Sequence, residues 1–491
     1  MVRALGNLVR EVMSRKYLDW AEALPRFQSG PIHELQSIRE RQRHRSDQRF
    51  QNRIKPGDTS ITLNQFRIII TFQFEDFNLV RRAVGKLFPK SEKASDFIKD
   101  LKKKESSIHS FGWSSIGLIA KEKLAYAPET QYVDELPEHV KFIDVSYHRI
   151  MPSLACLSFS FHIEERFSKS LAIKQNHDYL PPVIFKSINL FKRFPRGYSM
   201  GSGGEGAREI VGNHVLGLLN SLDCWLQRAT KFTDAASFTK SVVEYYVVNG
   251  CPTSSDELGK WLTSNRGWLG DYGISVSEHH SYRSSNLIYC PSSYPNNDIP
   301  VYSLVLFEGV DDEAKYTDFK LGALSVNASL FSTMDSIQDS LEKYRRLGFV
   351  QLAKSDARIL KDAGSASRIK RLGVILNRIS HEFSEGRHLI AHELDDLGGL
   401  KTSSFGEEEI LRNYIIKSFD YRLGCLIKAY QVVDIGLTGY LEVQNIYVMY
   451  RLQAWMLVLS IVATFATIVG VAANWDDLHE LWGKASEMHN K

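Results

Sequence analysis

Residues 452–475 read LQAWMLVLSIVATFATIVGVAANW, a run of 24 residues without a charged side chain between Arg451 and Asp476. The hydrocarbon core of a bilayer is about 30 Å thick and needs roughly 20 apolar helical residues to cross it. Lipid offers no partner to a bare backbone, so a single crossing segment has to be a helix. Trp455 and Trp475 stand near its two ends, as in an interfacial aromatic belt. The run therefore predicts one transmembrane helix over 452–475; the alternative is a helix buried in a protein core.

The charges that flank this run predict its orientation. Arg422, Lys428 and Arg451 precede it, whereas Asp476 and Asp477 follow it. Lys and Arg are in excess on the cytoplasmic side of membrane helices. Residues 1–20 also lack the uninterrupted apolar stretch of a secretory signal peptide. We expect a single-pass membrane protein with its N-terminal part in the cytoplasm, at the inner membrane if the source is bacterial, and with 476–491 as a short C-terminal tail.

One side of the predicted span carries small side chains, which we call the small face. Small residues let two helices approach closely, and hydroxyl or amide groups can hydrogen-bond across the contact. We therefore expect a homo-oligomer in the bilayer, although such residues are also common in membrane helices by chance. The small face comprises Ser460, Ala463, Thr464, Ala466, Thr467, Gly470 and Asn474.

Composition places the rest of the chain among ordinary globular proteins. Of the 491 residues, 43% are hydrophobic and 24% are charged, with a formal net charge of +4. That charge is too small to indicate nucleic-acid binding across the whole chain. The cysteines are five in number and scattered, without a CxxC pair. This usage is typical of a reducing compartment and argues against a disulfide framework or a structural zinc site.

Residues 1–55 are predicted to be an amphipathic, basic helical segment. A cluster of arginines can bind anionic lipid head groups or a phosphate backbone. The predicted membrane span favours lipid over nucleic acid, and the alternative is a solvated helix. The candidate arginines are Arg39, Arg41, Arg43, Arg45, Arg49 and Arg53.

Residues 56–200 predict an α+β domain with a mainly antiparallel sheet. Strands are expected over 61–74, 140–150 and 154–163, and a helix over 76–88. In 154–163 the apolar Leu157, Phe159 and Phe161 alternate with Ser158 and Ser160. This alternation is typical of a half-buried strand whose polar face meets water.

Residues 201–329 are predicted to be a second α/β part of the soluble region. GSGGEG at 201–206 matches the glycine spacing of dinucleotide-binding loops, and Asp223 stands near the distance expected of a ribose contact. A polar stretch broken by Pro195 precedes these glycines, whereas the motif should follow a buried strand. We therefore interpret them as a loop before a helix, and the sequence indicates no cofactor.

Residues 330–451 predict a helical stalk, an antiparallel hairpin of two helices. Apolar residues recur at three-four spacing from Ile369 to Leu397, and Ser404 to Glu407 has the form of a capping box for the second helix. Its stripe begins at Leu423 and Leu426 and continues into the span. The apolar side is wide enough to be buried by the hairpin partner and a neighbouring subunit.

The sequence of the stalk leaves two alternatives open. Leu423 to Leu441 could be a second span, but Lys428 and Asp434 would then lie in lipid at a cost of several kcal/mol. A metal could bind to imidazoles and a carboxylate that share one helical face. Heptad positions put those side chains on the outward side, which favours a solvated surface. The weak metal candidates are His381, Glu385, His388 and His392.

No nucleophile-elbow, kinase or P-loop motif occurs, so catalytic residues stay unknown. We expect a membrane-anchored sensor, effector or scaffold whose cytoplasmic domain controls oligomerisation or membrane perturbation through the stalk. Effectors of bacterial antiviral defence are built on this plan, by analogy of architecture only. A protein partner of the cytoplasmic domain fits this function. The alternatives are a membrane-tethered enzyme of unknown chemistry and a subunit of an oligomeric channel or transporter.

Overall fold

The structure is a computed structural model that falls into two compact units. The sheet unit comprises residues up to Ser336 together with Leu376–Gly424, and the helical unit comprises Ile337–Ile375 together with residues from Cys425 onward. Residues 479, 482 and 485 are described beyond 473. Before it, residues 56–473 are described except for gaps at 74–75, 90, 105–111, 123–129, 176–182, 186–197, 201–202, 232–238, 253, 277–281, 285–286, 293–298, 308–316, 353–358 and 405–406.

The sheet unit is built on an 11-stranded sheet with the strand order β13-β12-β9-β10-β11-β8-β1-β5-β4-β2-β3. Only the pairs β8–β11 and β2–β3 are parallel within it, so the prediction of a mainly antiparallel sheet is confirmed. Both predicted soluble segments, 56–200 and 201–329, contribute strands to this one sheet. The strands are β1 Ser60–Gln73, β2 Gly112–Ala120, β3 Thr130–Tyr132, β4 Val140–Met151, β5 Leu154–Ile163, β6 Val183–Phe185, β7 Tyr198–Met200, β8 Thr239–Asn249, β9 Tyr282–Arg283, β10 Leu287–Ser292, β11 Val301–Phe307, β12 Lys401–Ser404 and β13 Glu407–Ile410.

Helices flank the sheet and dominate the C-terminal half, which confirms the coarse prediction of long helices after the sheet. The short pair β6 and β7 forms a separate two-stranded sheet. The helices are α1 Phe77–Leu87, α2 Glu92–Lys104, α3 Glu165–Gln175, α4 Gly203–Thr230, α5 Ser255–Ser264, α6 Arg266–Asp271, α7 Thr317–Leu352, α8 Ile359–Glu393 and α9 Leu411–Ala473, with a 3-10 turn at Asp395–Leu397.

The first face of the sheet carries the apolar core. Phe66 of β1 pairs with Phe161 of β5, and Ile68 pairs with Phe159; all four side chains are buried. The β-branched and aromatic side chains of these strands suit a pleated, buried surface. Helix α3 is fixed on this side by Ser168, whose hydroxyl accepts a hydrogen bond from the Leu63 amide at 2.9 Å. Truncating one of these phenylalanines to alanine costs about 3–5 kcal/mol in a typical core.

The second face of the sheet is polar and also buried, which corrects one expectation. The polar side of β5 was predicted to meet water, yet Ser158 and Ser160 have no exposed surface. Helix α7 covers this side: Ser332 meets Thr239 of β8 at 3.2 Å between hydroxyl oxygens. Its Asn327 donates to the Tyr289 hydroxyl of β10 at 2.9 Å. The alternation was therefore a correct sign of a strand but not of its solvent exposure.

Between α8 and α9 the chain forms a short hairpin at the sheet edge. In it β12 and β13 pair antiparallel, and Lys401 pairs with Arg283 of β9. The predicted capping box at 404–407 is therefore wrong. Ser404 pairs with Glu407 across the ladder, so its backbone is extended, and α9 begins only at Leu411.

Helix α9 is one uninterrupted element of 63 residues. Its Val448–Gly470 segment is long and apolar enough to cross a membrane, by length and composition. In the sheet unit, α8 and α9 pack antiparallel through the rings of Phe383 and Phe419, whose centroids are 4.6 Å apart. The predicted continuity of the second stalk helix with the apolar segment is therefore observed.

Candidate functional site

The predicted span keeps its side chains exposed. No part of Val448–Gly470 is buried inside the protein. Within the small face, the Thr464 hydroxyl donates to the carbonyl of Ser460 at 2.8 Å, and that of Thr467 donates to the carbonyl of Ala463 at 2.9 Å. Such bonds satisfy polar side chains inside the helix itself, which suits a lipid environment. Asn474, Trp475 and the six candidate arginines from Arg39 to Arg53 lie outside the described residues.

The four metal candidates of α8 are surface residues. His381 Nδ1 lies 3.3 Å from Glu385, and His388 is exposed as well. His392 hydrogen-bonds Asp395 at 3.0 Å, and this bond raises the pKa of the imidazole. Among the described residues no three His, Cys, Asp or Glu side chains are grouped as metal ligands. The arrangement is that of surface ion pairs, with Arg412 also bonded to Asp395.

A serine and a histidine meet between α3 and α4. Ser170 Oγ lies 3.0 Å from His214 Nε2, and Lys174 Nζ lies 3.2 Å from His214 Nδ1. An ammonium group only donates, so Nδ1 accepts and Nε2 carries the proton. Ser170 in turn donates to the carbonyl of Phe167 at 2.7 Å. A nucleophilic serine needs an unprotonated ring nitrogen as its base, so this trio joins two helices rather than forming a catalytic dyad.

The glycine motif at 201–206 has no dinucleotide geometry around its acidic residue. Helix α4 begins at Gly203, so 203–206, which were predicted to lie in a loop, belong to its first turn, and 201–202 lie outside the described residues. Asp223 accepts hydrogen bonds from Lys240 at 2.7 Å and from Gln227 at 2.8 Å. Its carboxylate therefore ties α4 to β8 and is not presented for a ribose contact.

The second face of the sheet, which we call the polar face, groups the largest set of buried polar side chains in the described part of the sheet unit. Strand pairing puts its side chains in rows that run across β4, β5, β1 and β8. The outermost row is Phe142, His162, Gln65 and Tyr245; the next is Asp144, Ser160, Arg67 and Val243; the third is Ser146, Ser158, Ile69 and Ser241; and the innermost is His148, Cys156, Thr71 and Thr239.

Several polar atoms of this face are buried without a hydrogen-bond partner. They are Arg67 Nε and the hydroxyl oxygens of Thr71, Ser158, Ser160 and Ser241. Most buried polar groups in proteins are paired, since an unpaired one costs about 1–3 kcal/mol. A group of five in adjacent rows therefore marks this face as a functional candidate.

Burial controls the charges of the polar face. It lowers the pKa of His148 to about 3 and that of His162 to about 4, with Arg67 nearby adding to both effects. Both imidazoles are therefore neutral at pH 7. Burial lowers the pKa of Arg67 and raises that of Asp144, and the two groups attract each other. Burial also raises the pKa of the Cys156 thiol to about 12, so it is not a nucleophile at neutral pH.

Sequence reasoning missed Arg67 as a candidate. The available signal was a glutamine and an arginine at alternate positions, Gln65 and Arg67, in a strand rich in Ile, Phe and Thr. On a half-exposed strand such residues are ordinary surface groups. Only the covering by α7, which follows some 250 residues later, makes them notable.

Comparison with known proteins supplies no family for the chain. No protein-family model matches it, and no curated protein matches it either. We therefore infer function from the geometry alone.

Proposed function

We propose that this chain is a single-pass membrane protein whose sheet unit controls self-association of the membrane segment through the long helix α9. One observation carries the proposal: α9 has a packed part and a bare apolar part within the same uninterrupted helix. Leu411, Ile415, Phe419 and Leu423 are buried in the sheet unit, whereas 452–470 is exposed throughout. An apolar surface this long is insoluble in water, so lipid or other copies of the helix are its natural surroundings.

The flanking charges support a cytoplasmic sheet unit. Basic residues precede the span and acidic residues follow it, in the sense of the positive-inside bias. The cysteines of the described chain are all free, which suits a reducing compartment. We place the sheet unit in the cytoplasm on these two grounds.

The small face is the proposed contact between copies. Its side chains permit close helix approach, and apolar residues also lie exposed on α9 before the span, at Val432, Ile435 and Ile446. A second copy would cover both sets at once. In this function the sheet unit acts as sensor or scaffold and the assembled helices as the output, a plan shared with membrane effectors of bacterial antiviral defence.

The test is the oligomeric state of the full chain in detergent or nanodiscs, by light scattering and cross-linking. Ala463→Leu with Thr467→Leu places bulk on the small face, and we expect a shift toward monomer. Val458→Leu with Val469→Leu is the matched control, because at 100° per residue these two positions lie on average about 150° around the helix from Ala463 and Thr467. A wild-type protein that is monomeric at every concentration, or a control that dissociates equally, would overturn the proposal.

A further inference from the structure

Arg67 is a buried guanidinium on the polar face of β1. Its side chain is 4% exposed, its Nε has no hydrogen-bond partner, and in the described part of the chain it forms no ion pair. Burying a charge is costly unless the charge is paired and hydrogen-bonded. The surroundings of Arg67 thus suit an anion that brings acceptor atoms.

Three unpaired hydroxyls lie around this guanidinium. Ser160 is directly opposite Arg67 on β5, and Ser158 and Ser241 lie one row deeper on the strands to either side. Directly opposite residues have Cβ atoms about 5 Å apart, and diagonal neighbours are about 7–8 Å apart. A small group beside Arg67 can therefore be reached from Ser158 and Ser160 of β5, whereas Ser241 of β8 lies on the other side of Ile69, two strand spacings or about 10 Å from Ser158. Arginine only donates and a hydroxyl can donate, so the set complements a group with several acceptor oxygens.

Two carboxyl groups oppose an anion at this place. Asp144 lies across Ser160 from Arg67, and the field of Asp318 at the start of α7 also reaches the guanidinium. Asp318 is exposed, so water screens it. Burial raises the pKa of Asp144, which favours its neutral form and lessens the repulsion. His148 and His162 are neutral at pH 7, as shown above, and add no charge.

Exposure is greater in the outermost row of the polar face than in the deeper rows. Phe142, His162 and Tyr245 of the outermost row are half-buried, and the rings of Phe142 and His162 stack at 4.0 Å. In the innermost row, Gly322 of α7 approaches His148, with 3.5 Å between a Cβ built on the glycine and Cε1 of the ring. Helix α7 thus closes the inner end, while Arg67 lies one row in from an aromatic outer end.

We propose that the polar face binds a small phosphoester, with its phosphate held by Arg67 and the hydroxyls of Ser158 and Ser160. A guanidinium fork with neighbouring hydroxyl donors matches phosphate geometry. The tetrahedral group offers more acceptor directions than a carboxylate does. The organic part of the ligand lies toward Phe142, His162 and Tyr245, where a planar or sugar-like body meets aromatic rings. This inference stands on Arg67 and its neighbours and does not depend on the membrane function.

The test is titration calorimetry of the full chain in detergent, in buffer free of phosphate, with AMP, inorganic phosphate and adenosine as separate probes at constant ionic strength. We expect wild type to bind AMP and inorganic phosphate. Adenosine, which lacks phosphate, should bind at least about tenfold more weakly than AMP. We expect Arg67→Met to weaken AMP binding about tenfold or more, the effect of removing a charged hydrogen-bond donor. This variant should fold, since an apolar side chain of similar length commonly replaces a buried charge without loss of stability.

Arg387→Met is the matched control, because Arg387 is exposed and pairs with Asp420 at 3.6 Å on the surface of the sheet unit. The AMP affinity of this variant should equal that of wild type. Should Arg67→Met not fold, the double variant Ser158→Ala, Ser160→Ala removes two hydroxyl donors and should weaken AMP binding instead. Failure of wild type to bind either AMP or inorganic phosphate at millimolar concentration overturns the proposal. Equal binding by wild type and the Arg67 or serine variant overturns it as well, since phosphate would then bind elsewhere, for example at the arginines from Arg39 to Arg53.

Discussion

At the scale of single residues, Glu382 joins a long helix to the turn between two strands. Its Oε2 accepts the Ser153 amide at 2.9 Å and the Ser153 hydroxyl at 2.6 Å. Hydrogen bonds to a charged group are worth about 1.5–3 kcal/mol each. We expect Glu382→Ala to lower the free energy of unfolding by about 2–3 kcal/mol, measured by denaturant unfolding of the detergent-solubilised chain.

Glu385→Ala on the same helix is the control for that change. Glu385 meets His381 at the surface, at 3.3 Å, and an exposed pair of this kind contributes about 0–1 kcal/mol. Equal losses for the two variants would show that the contact with Ser153 does not hold α8 to the turn.

The buried histidines predict acid sensitivity. The pKa of His148 in the folded protein is about 3, against 6.5 for an unperturbed imidazole. Between these two pH values the unfolded chain binds one more proton than the folded chain, so stability falls as pH decreases from 6.5. Each pH unit in this window weakens the fold by about 1 kcal/mol for this one group.

The measurement compares slopes of stability against pH between 6.5 and 5. We expect His148→Gln, which cannot titrate, to lose stability less steeply than wild type over this range. His381→Gln, at an exposed position of α8, should keep the wild-type slope. An unchanged slope for His148→Gln would mean that the imidazole is hydrated or charged in the folded state.

At the scale of elements, the contact of α8 with α9 in the helical unit depends on a glycine. A Cβ at Gly373 would overlap the ring of Tyr430, whereas none lies within 4 Å at Gly424. We expect Gly373→Ala to displace the ring and to increase hydrogen exchange in α8 around 369–380. Gly424→Ala, the control, should be neutral or stabilising by about 0.5–1 kcal/mol, since alanine favours helix. Adding Tyr430→Ala to Gly373→Ala should restore protection if overlap is the cause.

Strand and helix patterns predicted the elements that are long and periodic. β1, β4, β5 and α1 lie within one or two residues of their predicted bounds, because local signals mark them: β-branched and aromatic residues in β1, alternation in β5 and Pro89 after α1. The apolar repeat from Ile369 to Leu397 likewise found α8. The four-residue strands β12 and β13 could not be found, since their pairing with each other and the contact of Lys401 with Arg283 of β9 make them strands, and their own residues carry no alternation.

The candidate site escaped prediction for a related reason. The site consists of polar residues that alternate with apolar ones along their strands, among them Ser158, Ser160 and Arg67. From sequence alone, such a polar face is expected to be exposed to water. The polar face is buried because α7 covers it. The hydroxyls of Ser325 and Ser329 donate hydrogen bonds to carbonyls of their own helix, so these serines can be buried without further partners. The packing of α7 on this face involves residues far apart in the sequence, so local sequence patterns do not predict that the face is buried.

At the scale of the whole molecule, the proposed membrane location predicts a strong position effect for a new charge. Val462→Arg at the middle of the span should cost about 2.5–3.5 kcal/mol for insertion and move protein from the alkali-resistant membrane fraction to the soluble or aggregated fraction. Val374→Arg is the control, because Val374 is a valine exposed by 57% on α8, outside the span. Equal membrane retention of both variants would contradict a lipid-embedded 452–470.

The strand order also determines how long β1 remains without its neighbour β8 during translation. β1 occupies the middle of the sheet between β5 and β8, and residues 74–238 separate its end from the start of β8. At 5–20 residues per second, translation leaves the β8-facing edge of β1 unpaired for roughly 10–30 s. During that time the backbone of a strand containing FRIIITF can pair with a strand of another chain. We therefore expect the nascent chain to need chaperones. Slower translation after residue 73 should lower the yield of soluble protein.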